Sequence, residues 1–150
     1  MNKVVVLVQD GVEPFGLGSM CEVWGESYHP EDDAPVFDFH VVTPTPGRVR
    51  GFKSFDLHVD EGLEHLEDAD LICIAPRQGF RTPEPIVSEA LVRAHERGAY
   101  LLAHCSAAFE LAHAGLLDGR EATIHWRYAD EMAEAFPEVT VTPDVLYVST

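Results

Sequence analysis

The chain has 150 residues and a hydrophobic content of 46%, which is enough for one compact domain with a sizeable core and argues against intrinsic disorder. Its 26 acidic residues outnumber the 10 basic ones and give a formal net charge of −16. A surface of this sign repels phosphate groups, so we do not expect this chain by itself to bind nucleic acid or an anionic membrane.

Three cysteines, Cys21, Cys73 and Cys105, lie far apart and form no CxxC pair. This pattern favours reduced thiols in the cytoplasm over a disulfide framework or a zinc site. The first apolar run, residues 4–8, is too short for a signal peptide, and no run reaches the length of a membrane span. Without an HExxH motif or a glycine-rich nucleotide loop, the sequence predicts neither a metal nor a cofactor. We therefore expect a cytoplasmic protein.

Hydrophobic periodicity alternates between strand-like and helix-like along the chain. In chain order it predicts a strand at 3–9, a helix at 15–28, a strand at 36–43, a hairpin or excursion within 44–60, a strand at 70–75, a helix at 83–98, a strand at 100–104, a helix at 106–117, an extended piece at 122–125, a helix at 128–136, and closing strands at 139–141 and 145–148. This order indicates a doubly wound, mostly parallel sheet with helices on both faces, an α/β sandwich. Ligands of such sheets bind at the carboxyl ends of the strands, where we expect residues 9–11, residues 76–77 and Cys105 to converge.

The segment around Cys105 combines a buried strand, an abrupt turn and a helix, with Ala103 and Ala107 as small neighbours. This is the layout of a nucleophile elbow. The helix amides following the cysteine would favour the thiolate. The same pattern also fits a small buried residue in an α/β core, because free cysteine is often fully buried.

His125 is the candidate partner of Cys105, as a general base or as an imidazolium paired with the thiolate. The alternative is that His125 caps the helix that follows it. Strand alternation points His104 away from the cysteine, so we do not expect it to act as a catalytic partner. Glu13 lies after the first strand and either faces the thiol or belongs to a solvated loop.

Three segments carry a resemblance to a known family. They are DGVEPFGLGSMCEVWG at 10–25, HCSAAFELAHAGLLDGREATIHWRYADEMAEAFPEV at 104–139, and DVLYVST at 144–150. With them the chain resembles the ThiJ/PfpI superfamily (class I glutamine amidotransferase-like), and more narrowly the N-terminal domain of AraC-type (GlxA-like) transcription regulators. The resemblance implies a flavodoxin-like α/β fold, a homodimer, and His125 near Cys105 at the elbow.

The chain ends without the closing helix that a doubly wound domain usually has. We therefore expect a single domain over residues 1–150 that lacks its final strand and helix. In the regulators that the chain resembles, a helix-turn-helix module follows this domain. Any DNA contact would then come from a C-terminal module absent from this chain.

Three positions depart from the pattern of the superfamily's enzymes. Gly16 stands where they carry an acid that hydrogen-bonds the cysteine, Arg77 stands where a glycine amide helps to form an oxyanion site, and Ala107 replaces a glycine after the elbow. Removing one oxyanion donor raises the activation free energy of an enzyme by about 3–4 kcal/mol. The departures predict weak or absent catalysis, while Arg77 would favour an anionic ligand and a thiolate.

The sequence thus predicts a ligand-sensing and dimerisation domain with little or no catalysis. A small molecule, such as an amide, an amine derivative or an anion, would bind beside Cys105 and His125, at a site formed by Gly16, Glu13, Arg77 and Ser106. Two alternatives stay open. One is a cysteine-dependent hydratase, amidase or glyoxalase-like enzyme, and the other is a redox-responsive protein in which Cys105 oxidises to a sulfinate.

Overall fold

A computed structural model of the protein describes residues 1–25 and 29–150. The strands are β1 (Lys3–Leu7), β2 (Asp38–Val42), β3 (Gly47–Arg50), β4 (Asp56–Val59), β5 (Leu71–Ile74), β6 (Tyr100–Ala103), β7 (Glu121–Ala122) and β8 (Thr140–Val141). The α-helices are α1 (Pro14–Met20), α2 (Pro85–Arg97), α3 (Ala108–His113) and α4 (Ala129–Ala135). No helix in these ranges is both long and apolar enough to cross a membrane.

The central sheet has four parallel strands in the order β2-β1-β5-β6. This is the order of a flavodoxin-like, doubly wound sheet, which confirms the predicted fold class. The chain reverses its winding direction between β1 and β5, so the expected ligand crevice lies at the carboxyl ends of these two strands.

Both faces of the sheet are covered, as the uninterrupted valine run of β1 predicts. Val5 and Leu7 point to the face that α2, α3 and α4 cover, together with Ile72 and Ile74 of β5. Val4, Val6 and Val8 point to the other face, where α1 and the β3–β4 hairpin pack. Residues 4–8 are all 0% exposed, so β1 forms the centre of the core.

The predicted hairpin within residues 44–60 is confirmed. Strands β3 and β4 pair antiparallel, with Gly47 opposite Val59. The hairpin is tied to the end of β1, because Gly11 donates a backbone hydrogen bond to the carbonyl of Arg50 at 2.7 Å. It therefore borders the loop that begins the expected ligand crevice.

A proline and a glycine in the sequence predicted the two ends of α2 closely. Pro85 occupies its first turn, where a missing N–H costs nothing, and Gly98 ends it with a φ of +100°. The first helix is shorter than predicted, because the α-helical geometry of α1 changes at Cys21 into a π-helical turn over Cys21–Gly25. The rest of that predicted helix, residues 26–28, lies outside the described residues.

Two predictions in the C-terminal third of the chain were wrong in extent. The helix after Cys105 is a 3-10 turn at Cys105–Ala107 followed by the six residues of α3, and it ends before Gly115, which has a φ of +76°. The extended piece at 122–125 is reduced to β7, which pairs with β8 in a separate two-stranded sheet.

Residues 145–148 do not form the predicted strand. Leu146 is 99% exposed and Tyr147 is 79% exposed. Strand propensity is realised only when a neighbouring strand or a core receives the side chains, and no strand in the described part of the chain pairs with this segment.

Candidate functional site

Cys105 occupies the corner between β6 and the 3-10 turn that precedes α3. Its φ is +57°, in the left-handed region that non-glycine residues rarely adopt. Holding a non-glycine residue there costs about 1–2 kcal/mol. The side chain is partly buried, and Ala107 behind it is 1% exposed. The backbone therefore turns sharply at the cysteine, while its role as a nucleophile stays a prediction.

The electrostatic environment of Cys105 differs from the sequence expectation of a thiolate. Burial raises the pKa of the thiol above its ordinary value of 9.0, and the charge of Glu13 raises it further. The backbone hydrogen bond from Ser106 acts in the opposite direction and does not offset the burial. The sequence expectation considered the helix amides that favour a thiolate but not the hydration that the sulfur loses on burial.

Gly16 lies on α1 against the end of β5. A Cβ atom at this position would lie 2.4 Å from both Cδ and Cγ of Pro76 and 3.1 Å from Nδ1 of His104. The proline ring therefore occupies the space that a carboxylate-bearing side chain would need. Burial lowers the pKa of His104, whose Nδ1 has no hydrogen-bond partner among the described residues.

Arg77 does not present a free cation. Its Nε donates to Oε1 of Glu110 at 2.7 Å, and its Nη2 donates to the carbonyl of Thr82 at 2.7 Å. The side chains of Arg77 and Glu110 are 8% and 1% exposed. The expectation that Arg77 favours an anion and a thiolate is corrected, because the carboxylate of Glu110 neutralises its charge inside the protein.

His125 acts as the cap that the sequence left open as an alternative. Its Nδ1 accepts the backbone N–H of Arg127 at 3.2 Å, at the start of the turn Trp126–Tyr128. Its ring stacks on Trp126 with a centroid distance of 5.3 Å. No hydrogen bond joins His125 to Cys105 in the part of the chain that is described, so a catalytic pairing stays a prediction.

The remaining predicted residues lie beside the same corner. Glu13 precedes α1, its backbone N–H donates to the carbonyl of Pro76 at 2.9 Å, and its carboxylate accepts a hydrogen bond from Gln78. Ser106 is 2% exposed and reaches Cys105 through its backbone amide.

The sequence analysis assigned no role to two polar side chains that the structure buries. Gln9 is 2% exposed at the end of β1, and neither atom of its amide has a hydrogen-bond partner among the described residues. Oε2 of Glu110 is also buried without one. An unsatisfied buried polar group costs about 1–3 kcal/mol. The sequence signals were a glutamine that ends a valine run and a glutamate within an apolar helix.

A group that could hold a metal ion lies at the opposite edge of the sheet, where β2 runs. It consists of His40, Glu61 and His65. Glu61 and His65 are four positions apart, but His40 lies 21 positions before Glu61, so no local motif unites the three and the sequence analysis predicted no metal.

The comparison with protein families resolves which family this fold represents. A model described as the DJ-1/PfpI family matches residues 2–146. The chain belongs to this family. The match confirms the resemblance on which the sequence analysis relied, and it covers both the Cys105 corner and the residues at the ends of β1 and β5.

Relatives of this DJ-1/PfpI chain include transcription regulators. It is 30% identical over 116 residues to the HTH-type transcriptional regulator CdhR of Pseudomonas aeruginosa, covering 77% of this chain and 34% of the regulator. It is 59% identical over 34 residues to the HTH-type transcriptional regulator GlxA of Rhizobium meliloti, covering 23% of this chain and 10% of GlxA. The chain thus spans about a third of the length of CdhR.

The crystal structure of an AraC family transcriptional regulator from Pseudomonas putida has the same fold. Its TM-score is 0.70 at 21% identity, over 98% of this chain and 80% of that one. Together with the relatives, this confirms the likeness to AraC-type regulators that the sequence predicted.

Proposed function

We propose that this DJ-1/PfpI domain is the ligand-sensing and dimerisation domain of an AraC-type transcription regulator, with little or no catalysis. It acts in the cytoplasm as a homodimer. A small molecule binds at the carboxyl ends of β1 and β5, beside Cys105, and DNA is contacted only by a module outside this chain.

The proposal of little or no catalysis rests on the surroundings of the Cys105 thiol. A catalytic cysteine needs a low pKa or an adjacent base. Here burial raises the pKa, Pro76 fills the space beside Gly16, and the Nδ1 atom of His125 is engaged by a backbone amide. These features support sensing over turnover.

The unsatisfied polar atoms support a neutral or cationic polar ligand over an anion. The amide of Gln9 can donate and accept, and Oε2 of Glu110 can only accept while it is ionised. Arg77 is already paired with Glu110, so the charge of its guanidinium is not available to attract an anionic ligand. An amide or an amine derivative satisfies these groups best.

The test uses the variants Gln9→Leu and Asn2→Leu. Leucine at position 9 removes two unsatisfied polar atoms from the core, so the ligand-free protein should unfold at the same or a higher temperature than wild type. The thermal shift that amides or amines produce in wild type should disappear in this variant. Asn2 is an exposed amide just before β1, at the end of that strand away from the proposed ligand site, and it serves as the matched control, in which the thermal shift should persist.

Operator binding by the full-length protein completes the test. A ligand found by thermal shift should change operator affinity in wild type and in the Asn2→Leu variant, but not in Gln9→Leu. Light scattering should show a dimer. Turnover of the ligand with no effect on operator binding, or a full-length protein without DNA affinity, would contradict the proposal.

A second candidate function is a cysteine-dependent enzyme, which the left-handed φ of Cys105 favours because backbone strain concentrates at reactive sites. Introducing Gly16→Glu alone would clash with Pro76, so the informative variant combines Gly16→Glu with Pro76→Gly. Amide or aldehyde turnover that appears in this double variant and is lost with Cys105→Ser would support a disabled enzyme scaffold.

Oxidation of Cys105 is the remaining alternative. Sulfinate formation follows thiolate character, and the raised pKa opposes it. Equal peroxide oxidation of Cys21 and Cys105, read by mass spectrometry, would remove this role.

A further inference from the structure

We propose that His40, Glu61 and His65 form a binding site for a divalent transition-metal ion, with Zn²⁺ as the preferred ion. The site lies on the outer edge of the central sheet, along β2, whereas Cys105 follows β6 at the other edge. It is therefore separate from the proposed ligand site.

The donor atoms already converge. One ligand atom from each residue lies within 4.8 Å of the others. Nδ1 of His40 is 2.7 Å from Oε2 of Glu61, and Nε2 of His65 is 3.8 Å from Oε1 of the same carboxylate. Zinc bonds of about 2.0–2.2 Å in a tetrahedron place ligand atoms about 3.4 Å apart. The observed separations of 2.7 Å and 3.8 Å lie on either side of that spacing.

Contacts within the fold fix the backbone positions of these three residues. His40 lies on β2, and Glu61 is bound to the end of that strand, because Thr43 donates a backbone hydrogen bond to its carbonyl at 3.1 Å. The 3-10 turn Leu63–Leu66 then places His65 about one turn beyond Glu61, and Leu66 anchors that turn in the core at 2% exposure. The three backbones are held independently of any metal.

A neighbouring carboxylate orients the first histidine. Oδ1 of Asp38 lies 3.0 Å from Nε2 of His40, and Oε2 of Glu61 lies 2.7 Å from Nδ1 of the same ring. An ion bound between His40 and Glu61 would displace the proton of that second contact, while the N–H at Nε2 still donates to Asp38. A carboxylate that accepts the second N–H of a histidine is the usual outer partner of a metal ligand. Two histidines and one glutamate form a known zinc donor set with a fourth position open to water.

The three side chains are partly buried and belong to a strongly acidic protein. The side chains of His40, Glu61 and His65 are 19%, 39% and 24% exposed. The two imidazole rings stack at a centroid distance of 4.3 Å. Two imidazole nitrogens and one carboxylate oxygen can all coordinate the same cation. The net charge of −16 raises the local concentration of cations.

The first experiment measures Zn²⁺ binding to the metal-free protein by calorimetry. We expect one site in wild type. Glu61→Gln, which keeps the size of the side chain, should weaken the affinity by more than about 100-fold, and Asp38→Asn by about 10–100-fold, as for outer partners of other metal sites. The matched control is His29→Gln, because His29 is an exposed histidine paired with Glu31 that belongs neither to the cluster nor to the groove beside Glu61, and the zinc affinity of this variant should not change.

The second experiment identifies the ligands with Co²⁺. Cys21 and Glu61 both border a groove of about 370 Å³ that His40 and His65 do not line, so a thiolate ligand would indicate a different site from the one proposed. We expect the visible bands of four-coordinate Co²⁺ without a thiolate charge-transfer band. A charge-transfer band that Cys21→Ser removes would overturn the proposal, as would equal zinc affinity in wild type and Glu61→Gln.

A folding defect is separated from the loss of a ligand by thermal unfolding without metal. Glu61→Gln and His65→Gln should unfold near the wild-type temperature, and each should lose only the stabilisation that added Zn²⁺ gives to wild type. Zinc stabilisation that survives in both variants would refute the site.

Discussion

The buried pair of Arg77 and Glu110 allows a quantitative test of how the Cys105 side of the domain is held together. Replacing Arg77 by Met removes the cation and leaves the carboxylate of Glu110, which is 1% exposed, without its partner. It also removes the donor to the carbonyl of Thr82. Breaking a buried ion pair in this way costs about 3–5 kcal/mol. For a domain of this size, that corresponds to a fall in the melting temperature of about 10 °C.

The assay is chemical denaturation of a double-mutant cycle with Arg77→Met, Glu110→Leu and the double variant. The double variant should recover much of the loss, because neither charge is then buried alone. The matched control is the pair of Arg81 and Glu131, which has a similar Nε–Oε1 distance of 2.8 Å but side chains that are 55% and 42% exposed.

Removing an exposed pair of this kind costs about 0–1 kcal/mol. If Arg77→Met cost no more than Arg81→Met, the pair would not be excluded from water, and our correction of the role of Arg77 would fail.

Two further predictions concern the Cys105 corner. Gly16→Ala should destabilise the protein by about 1–3 kcal/mol, because its Cβ would lie 2.4 Å from the ring of Pro76, whereas Gly18→Ala in the same helix meets no atom within 4 Å and should stabilise it by about 0.5–1 kcal/mol. Equal effects of the two alanines in urea unfolding would contradict the close approach. Alkylation of Cys105 should rise about tenfold per pH unit up to at least pH 9, since only the thiolate reacts and burial raises its pKa above 9.0. Cys73, whose pKa burial raises to about 12, should react far more slowly. Mass spectrometry of iodoacetamide adducts reads both rates, and a plateau for Cys105 below pH 8 would show that the thiolate is stabilised after all.

The amino-acid sequence by itself determined the features that depend on near neighbours. The valine run at residues 4–8 predicted a strand buried on both faces, and β1 is that strand. Pro85 and Gly98 predicted the limits of α2. The alternation of such segments predicted a doubly wound sheet, and a corner at Cys105 followed from its small neighbours. Periodicity, prolines and glycines act over a few residues, so a single sequence displays them directly.

Only the tertiary structure decided what the side chains at the two sites do. The carboxylate of Glu110, 33 positions away in the sequence, pairs with the guanidinium of Arg77, and Pro76 fills the space beside Gly16. His40 meets Glu61 across 21 positions, with no motif to indicate it. Burial raises the pKa of Cys105, and the extent of burial cannot be read from the local sequence pattern. Each of these outcomes depends on which distant groups share a low-dielectric volume, and only the packing of the whole chain sets that arrangement.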